Sequence, residues 1–154
     1  MDEKFKQMIE GLPLAFEKLV TMPPVRDPPL NIPSQGVYLF SENGKHLYVG
    51  RSNTMRKRYQ YHTRPGATHN QASFALKLAA ETCKMPPPSY REGDGQKDRL
   101  ANNPEYAAAF IEAKARVKAM DYRFVQEDHQ TKQTLLEAYA IIALETPYND
   151  FDTH

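Results

Sequence analysis

The stretch that decides the fold is GVYLFSENGKHLYVGRSNTMRKRYQYH, which runs from Gly36 to His62. It starts with two short apolar and aromatic runs, 36–40 and 46–50, and the polar segment between them contains Asn43-Gly44. Two such runs joined through Asn-Gly are the strongest short-range indication of a β-hairpin. Each run also carries a glycine near its tyrosine, and a strand glycine lets another group approach the backbone closely. The hairpin is therefore a candidate floor for a pocket.

A short basic helix is predicted directly after the second run. Ser52 or Asn53 would be a good N-cap residue, and no helix breaker occurs before Pro65. Arg58 and His62 are four residues apart, so they are expected on one face of this helix. A unit of two strands followed by a helix would then bring four groups close together. They are the phenols of Tyr38 and Tyr48, the guanidinium of Arg58 and the imidazole of His62.

Charge is distributed unevenly along the chain, although the formal net charge is only +1. The interval between Glu42 and Glu81 contains no acidic residue but seven basic ones, namely Lys45, Arg51, Arg56, Lys57, Arg58, Arg64 and Lys77. The rest of the chain therefore sums to −6, which makes residues 45–77 the positive pole. A positive pole is typical of a protein that binds a polyanion, and an accidental cluster of solvated side chains is the alternative interpretation.

The composition is that of an ordinary soluble globular protein. A chain of 154 residues is long enough for one hydrophobic core, and 40% of them are apolar and 25% charged. No stretch approaches the roughly 18 apolar residues of a transmembrane helix, and the N-terminus lacks the basic-then-apolar order of a secretory signal. We therefore expect a cytoplasmic protein without a membrane partner. The single cysteine, Cys83, excludes an intramolecular disulfide and a multi-cysteine zinc site.

The chain is expected to comprise an N-terminal extension and a main domain. Residues 1–33 combine an amphipathic helix, which Gly11 and Pro13 should split, with an extended proline-rich linker that has few internal hydrogen bonds. The apolar stripe of this helix is expected to pack on the main domain or on a second copy of the chain. Residues 34–154 form the main domain, in which residues 84–104 are predicted to be an inserted loop, disordered rather than closed over a ligand.

Further elements are predicted after the basic helix, and they fix the fold class. Helices are expected over 70–83, 105–120 and 131–145, and a third strand over 121–127. The last helix is apolar on nearly every side, which predicts a central position in the core. The predicted class is α+β, with a small three-stranded, mainly antiparallel sheet flanked by helices and an extra N-terminal helical segment.

These residues together resemble the signature of the GIY-YIG nuclease family. Gly36-Val37-Tyr38 and Tyr48-Val49-Gly50 match its two tripeptides with valine in place of isoleucine, and Arg58 follows the second glycine by eight residues. Glu137 in the last helix and Pro147-Tyr148-Asn149 just after it match later features in the same order. The resemblance covers roughly residues 34 to 151.

The resemblance implies a GIY-YIG fold and an endonuclease that hydrolyses DNA in one step with one Mg²⁺ or Mn²⁺ ion. In that interpretation Glu137 holds the cation and Arg58 follows the phosphate as charge builds in the transition state. One tyrosine takes a proton from water; we favour Tyr38 as this base and give Tyr48 an orienting role. His62 stands where relatives often have Tyr or His, and as a neutral imidazole it would orient the water or relay a proton.

Other residues are expected to support this site. DNA contacts are predicted for Lys45, Arg51, Arg56, Lys57 and Arg64, and structural roles for Gly36, Gly50 and Asn149. Arg51 departs from the lysine that is commoner in the family after the second glycine, which alters how the phosphate would be gripped. Asn149 resembles the late asparagine of the family, which ties its loop to the active site through side-chain hydrogen bonds.

Three alternatives stay open at the level of sequence. A carboxylate within an apolar helix needs a partner, and a lysine or arginine would serve Glu137 as well as a cation does. The chain could bind nucleic acid without cutting it. It could also be a subunit of a repair or restriction assembly, or a homodimer, that docks through its N-terminal helix.

Overall fold

The computed structural model of the chain describes residues 1–28, 31–88 and 95–150. The class is α+β, as predicted, with helices around a single three-stranded antiparallel sheet. In chain order the described elements are α1 (Glu3–Ile9), α2 (Leu12–Thr21), β1 (Gly36–Glu42), β2 (Lys45–Ser52), α3 (Met55–Thr63), α4 (Ser73–Thr82), α5 (Gln96–Asn102), α6 (Pro104–Lys118), β3 (Asp121–Gln126) and α7 (Gln130–Leu144).

The hairpin predicted from Asn43-Gly44 forms as expected and supplies the central strand. Asn43 and Gly44 adopt φ of 53° and 78°, the left-handed conformation that a tight two-residue hairpin turn requires. Strand β1 pairs with β2 on one side and with β3 on the other, which gives the order β2-β1-β3. The predicted antiparallel sheet is therefore confirmed.

The two faces of the sheet carry different side chains. Residues paired directly across antiparallel strands share a face, so Tyr38, Phe40, Tyr122 and Phe124 line one face as a cluster of aromatic rings. The other face carries the apolar core, to which the sheet, α2 and α7 contribute Val37, Leu39, Val49, Leu12, Leu19, Leu136 and Ala140. The N-terminal helical segment is thus part of this core through α2.

The chain forms two compact units, and the division falls inside α3. The sheet unit comprises residues 1–56 and 120–154 and contains α1, α2, the sheet and α7. The helical unit comprises residues 57–119, in which α6 packs against α4 and α5. Its buried side chains include Phe74, Leu78, Tyr106 and Val117.

Part of the predicted 84–104 loop is helical, which corrects the expectation of a disordered insertion. Residues 96–102 form α5, which begins after Gly95 at φ 69°. Gln96 is buried and its Oε1 accepts a hydrogen bond from Tyr106 Oη at 3.2 Å. This tertiary contact stabilises a short polar helix that has no apolar periodicity of its own. Residues 89–94 of the predicted loop lie outside the described residues.

The last helix, α7, packs in the core of the sheet unit, as predicted, but it also has an exposed side. Its fully buried residues are Gln133, Leu136 and Ala140, which form one stripe. On other sides Tyr139 is 36% and Ile142 69% exposed. Helix α7 therefore packs on the sheet and on α2 and faces solvent with its remaining side, which apolar composition alone did not predict.

The proline-rich linker is tied to the sheet at Val25. Val25 and Tyr122 exchange backbone hydrogen bonds of 2.9 Å in both directions, which adds a bridge along the outer edge of β3. Pro29 and Leu30, which belong to the same predicted linker, lie outside the described residues. None of the helices in the described parts of the chain combines the length and the apolarity needed to cross a membrane.

Candidate active site

Tyr38, the first tyrosine of the resemblance, is held rigidly in the sheet unit. It is 3% exposed, and its ring stacks on Tyr122 with a centroid distance of 5.8 Å and an interplanar angle of 28°. The edge of Phe40 meets it at 5.7 Å. These contacts fix the direction of the phenol.

The glycines of the two tripeptides make room for specific neighbours. Gly50 is the cross-strand partner of Tyr38, and a Cβ on Gly50 would overlap the Tyr38 phenol, including Oη. A Cβ on Gly36 would overlap the carbonyl oxygen of Val125 in β3. Gly50 therefore leaves room for the side chain of Tyr38, a candidate catalytic residue, whereas Gly36 allows β1 to pair closely with β3.

Tyr48 lies on the same face of the sheet as Tyr38. Its cross-strand partner is Phe40, two residues along β1 from Tyr38, and its side chain is partly exposed. The structure thus places the two tyrosines on one face and leaves Tyr48 the more accessible of the pair.

Asn149 makes the kind of contact that the resemblance implies. Its Oδ1 accepts from Val49 N at 2.7 Å and its Nδ2 donates to Val49 O at 2.8 Å, so one side chain pairs with both backbone groups of a β2 residue. Thr146 Oγ1 also donates to Asn149 Oδ1 at 2.8 Å. The segment after α7 is thereby fastened to the strand that carries Tyr48.

Glu137 lies on the flank of the buried stripe of α7 and is partly exposed. The stripe itself, through Leu136 and Ala140, contacts the apolar face of the sheet, opposite the face that carries Tyr38. One turn earlier, Gln133 is completely buried, and its Nε2 donates to Asn53 Oδ1 at 3.0 Å and to Glu127 O at 2.7 Å.

Arg58 and His62, both on α3, belong to the helical unit and occupy different environments. Arg58 is exposed, whereas His62 is 1% exposed. Burial, and then the nearby charge of Arg58, lower the pKa of His62 from 6.5 to about 3. The imidazole is therefore neutral at pH 7, the form that the sequence interpretation requires.

The residues predicted to contact DNA are exposed, and they belong to both units: Lys45, Arg51 and Arg56 to the sheet unit, and Lys57 and Arg64 to the helical unit. Lys57 Nζ lies 5.6 Å from the centroid of the Tyr61 ring, a cation–π contact within one helix.

The five predicted catalytic residues are therefore distributed over both units. Tyr38, Tyr48 and Glu137 lie in the sheet unit, and Arg58 and His62 in the helical unit. The expectation that all five meet on one side stays a prediction.

The residues present fit a single hard cation better than a multi-ligand centre. Within the described ranges, no group of three or more His, Cys, Asp and Glu side chains could hold a metal ion. Glu137 offers one carboxylate at the edge of the protein surface, which suits Mg²⁺ because that ion keeps several of its waters.

His46, on β2, has a partner on the neighbouring strand β1. Ser41 Oγ lies 2.7 Å from His46 Nδ1, and Arg123 Nη1 lies 3.5 Å from the same oxygen. Burial, and then the charge of Arg123, lower the pKa of His46. Ser41 is 1% exposed, and these contacts join the three strands at one end of the sheet.

Gln133 and Lys114 also escaped the sequence interpretation. Lys114, on α6, is 3% exposed, and its Nζ donates to Pro65 O at 2.6 Å and to Ala67 O at 2.9 Å. No periodicity or motif marks either residue, because a polar side chain within a helix is usually exposed.

Comparison with known proteins adds no relative to this description. The chain matches no protein-family model, no curated protein and no solved structure.

Proposed function

We propose that this protein is a metal-dependent endonuclease that hydrolyses phosphodiester bonds of DNA. The observation that carries the proposal is the seat of Tyr38: a buried phenol lies against Gly50, and Tyr48 shares its face of the sheet. Gly50 of the second tripeptide thus makes room for the tyrosine of the first, which supports the GIY-YIG resemblance.

Each proposed role follows from the chemistry of the side chain. A phosphodiester bond is cleaved slowly without catalysis, so the site must supply a nucleophile, charge neutralisation and a route for protons. Tyr38 takes a proton from the attacking water and Tyr48 orients that water. Arg58 donates to the phosphate oxygens with the planar fork of its guanidinium.

Glu137 would hold one Mg²⁺ or Mn²⁺ ion, which neutralises charge on the phosphate and leaving oxygens. His62 is neutral, so its imidazole has no net attraction to phosphate and does not bind the anion. Its role is to orient the attacking water or to relay a proton. Lys45, Arg51, Arg56, Lys57 and Arg64 contact the DNA backbone in a salt-dependent way. A cytoplasmic location stays part of this proposal.

The proposal is tested by incubating supercoiled plasmid and branched DNA with the purified chain in Mg²⁺ or Mn²⁺ and in EDTA. Cleavage should require the metal and be lost in Glu137→Gln. Glu10→Gln, an exposed carboxylate of the same unit, is the matched control and should cut normally. Metal-independent cleavage, or full activity of Glu137→Gln, would contradict the proposal.

The exposed basic residues around α3 also favour a second candidate, a module that binds nucleic acid without cutting it. Binding of both DNA substrates with steep salt dependence, and no cleavage in either metal, would support this candidate instead.

A third candidate, docking of a partner or a second copy through the N-terminal helix, is favoured by exposed apolar side chains there. Phe5 is 48% and Leu14 60% exposed. Because Leu12 and Leu19 belong to the core, deleting the segment would unfold the protein, so Phe5→Ser with Leu14→Ser is the better test. A smaller mass in size-exclusion chromatography with light scattering would show that this surface mediates association.

A further inference from the structure

Helix α3 carries an aromatic side chain, Tyr61, that does not belong to its buried stripe. In the helical unit the buried side chains of this helix are Tyr59, His62 and Thr63. With about 3.6 residues per turn, Tyr61 lies on the opposite side of the helix from that stripe. Its side chain is partly exposed there. Packing of α3 against the rest of the helical unit therefore does not account for an aromatic ring at this position.

Three exposed basic residues surround Tyr61. Lys57 and Arg58 precede it by four and three residues, and these are the spacings of neighbours on a helix surface. Arg64 follows Tyr61 by three residues and keeps the helical spacing, because its N–H donates to Gln60 O at 2.8 Å. Lys57 Nζ lies 5.6 Å from the centroid of the Tyr61 ring. One ring is thus set among three cations of the same unit.

Both the ring and the cations are available to a ligand. Among residues 1–28, 31–88 and 95–150, the Tyr61 ring contacts no other aromatic ring and its hydroxyl makes no hydrogen bond. None of the three basic residues forms a salt bridge within those same ranges. The arrangement fits a ligand that combines a flat π-surface with negative charge. Nucleotides of a single DNA strand have both properties, and proteins bind such strands with aromatic rings in a positively charged groove.

We propose that Tyr61 binds an unpaired nucleobase of DNA: the base stacks on the ring, and Lys57 and Arg64 bind the neighbouring phosphates. The inference rests on the proposed function, because it requires DNA on this face of α3. It adds a substrate class to that function, namely DNA with unpaired bases, such as single strands, flaps and branch points. Base pairs inside a duplex are stacked on each other, so a blunt duplex offers Tyr61 no free base to stack on.

The stacked base lies near the bond to be cut. Arg58, which binds the scissile phosphate in the proposed function, is less than one helical turn from Tyr61. Stacking is also tolerant of sequence, because every base has a π-face. The proposed site therefore selects DNA by its structure rather than by its sequence.

Binding in EDTA tests the inference separately from cleavage. Fluorescence anisotropy compares a labelled single strand with the blunt duplex of the same sequence. Tyr61→Leu keeps an apolar side chain but removes the ring, so it should weaken single-strand binding about fivefold or more and change duplex binding by less than about twofold. Tyr61→Phe keeps the ring and should bind both within about twofold of wild type. Tyr139→Leu, at a tyrosine of the sheet unit that is 36% exposed, is the matched control and should also bind both normally.

Photochemical crosslinking gives a direct measurement of stacking. A single strand with 5-iodouracil at one position is irradiated in complex with the full chain, which couples this base to an aromatic ring that lies against it. Mass spectrometry should locate the crosslink at position 61 in the wild type and in Tyr61→Phe. Crosslinks that occur only at other residues would overturn the inference.

The outcomes separate this inference from the proposed function. Unchanged single-strand binding by Tyr61→Leu, or equal losses for single strand and duplex, would overturn the inference and leave the ring as a partner of Lys57 only. Metal-dependent cleavage that is lost in Glu137→Gln would still support the proposed function in that case. Tighter binding of the RNA strand of the same sequence would overturn the assignment to DNA. If Tyr61→Leu does not fold by circular dichroism, the crosslink in the wild type decides.

Discussion

At the scale of single residues, we expect a substitution that disturbs the contact between Gly50 and Tyr38 to lower the stability of the protein measurably. Gly50→Ala would place a methyl group on the phenol, which Phe40 and Tyr122 prevent from moving aside. We expect the free energy of unfolding to fall by about 1–3 kcal/mol, as for other overpacked sites. DNA cleavage should fall further than stability explains, because the displaced group is the proposed base.

Urea unfolding and plasmid nicking of the same preparation check both parts of this prediction. Gly11→Ala is the control, because nothing lies within 4 Å of a Cβ there and the backbone φ is −87°. Its unfolding free energy should stay within about 0.5 kcal/mol of wild type. If the two variants behave alike, Tyr38 is not confined by Gly50.

The burial of His62 predicts a specific dependence of stability on pH. Its pKa is about 3 in the folded chain and 6.5 in the unfolded one, so between these values the unfolded state binds the extra proton. Stability from this residue is therefore complete above pH 6.5 and decreases as the pH falls toward 3. From pH 7 to pH 5 the loss from this group is about 2 kcal/mol.

Unfolding free energies at pH 7, 6 and 5 measure this effect, and His62→Gln isolates it. The variant lacks the titrating ring. Between pH 7 and pH 5 its free energy of unfolding should therefore fall by about 2 kcal/mol less than that of the wild type. His46 titrates in both proteins and cancels in the comparison. Parallel pH profiles would mean that His62 is accessible to protons in the folded state.

Several individual residues were predictable because their types are informative by themselves. Asn43-Gly44 specifies a tight turn, and Gly36 and Gly50 indicate close approach to the backbone. Gln133 and Lys114 were not predictable, since their importance comes from burial against carbonyl groups that are distant in sequence. Partners that are distant in sequence cannot be identified from the sequence alone.

At the scale of elements, the attachment of the segment after α7 to β2 depends on one side chain. Asn149→Ala removes both hydrogen bonds to Val49 and the one from Thr146. We expect a loss of about 1–3 kcal/mol in unfolding free energy and faster hydrogen exchange at the Val49 amide. Asn149→Asp is informative beside it, because a carboxylate accepts from Val49 N but cannot donate to Val49 O; it should be intermediate or worse.

Helix α6 holds the turn after α3 through the ammonium of Lys114. Lys114→Met keeps much of the apolar stem but leaves Pro65 O and Ala67 O without this donor. The expected destabilisation is about 1–3 kcal/mol by thermal or urea unfolding. Lys118→Met, an exposed lysine one turn later, is the matched control and should be near neutral. Equal effects of the two changes would show that the carbonyl contacts contribute little.

Elements were predictable where local pattern and tertiary environment agree. The hairpin, α3, α6 and β3 formed close to their predicted bounds because capping, periodicity and turn residues all indicate them. Helix α5 was missed because its sequence is polar and its stability comes from the contact between Gln96 and Tyr106. The core position of α7 was predicted, but its exposed side was not, because composition cannot reveal that apolar residues such as Ile142 face solvent.

At the scale of the whole molecule, the two units differ in charge. The helical unit, residues 57–119, contains eleven basic and six acidic residues, and the sheet unit contains nine basic and thirteen acidic ones, so their net charges are +5 and −4. We expect DNA affinity to fall steeply with salt and to depend on the helical unit. Arg64→Glu should reduce the slope of log K against log salt by about 1 or more.

Lys6→Glu makes the same change of charge at an exposed residue of the sheet unit and should leave that slope nearly unchanged. Fluorescence anisotropy with a labelled duplex at four salt concentrations is a suitable measurement. Similar slopes for the two variants would contradict a DNA surface centred on the helical unit.

The candidate site as a whole was only partly predictable. Across the strands Tyr38 pairs with Gly50 and Tyr48 with Phe40, so the shared face of the two tyrosines could be inferred from the hairpin alone. The predicted meeting of Arg58 and His62 with Glu137 stays a prediction, because it depends on how distant segments pack and spacing along the chain does not determine that.

Both outer edges of the sheet are occupied by chain segments that are not strands. Along β3, Val25 pairs with Tyr122; along β2, Asn149 pairs with Val49, and Tyr148 N donates to Leu47 O at 3.3 Å. Unpaired strand edges are templates on which copies of a protein join into insoluble fibrils. These two short attachments should therefore keep concentrated protein in solution. A variant that loses the Asn149 contact should precipitate at a lower concentration than the wild type, because its β2 edge is exposed.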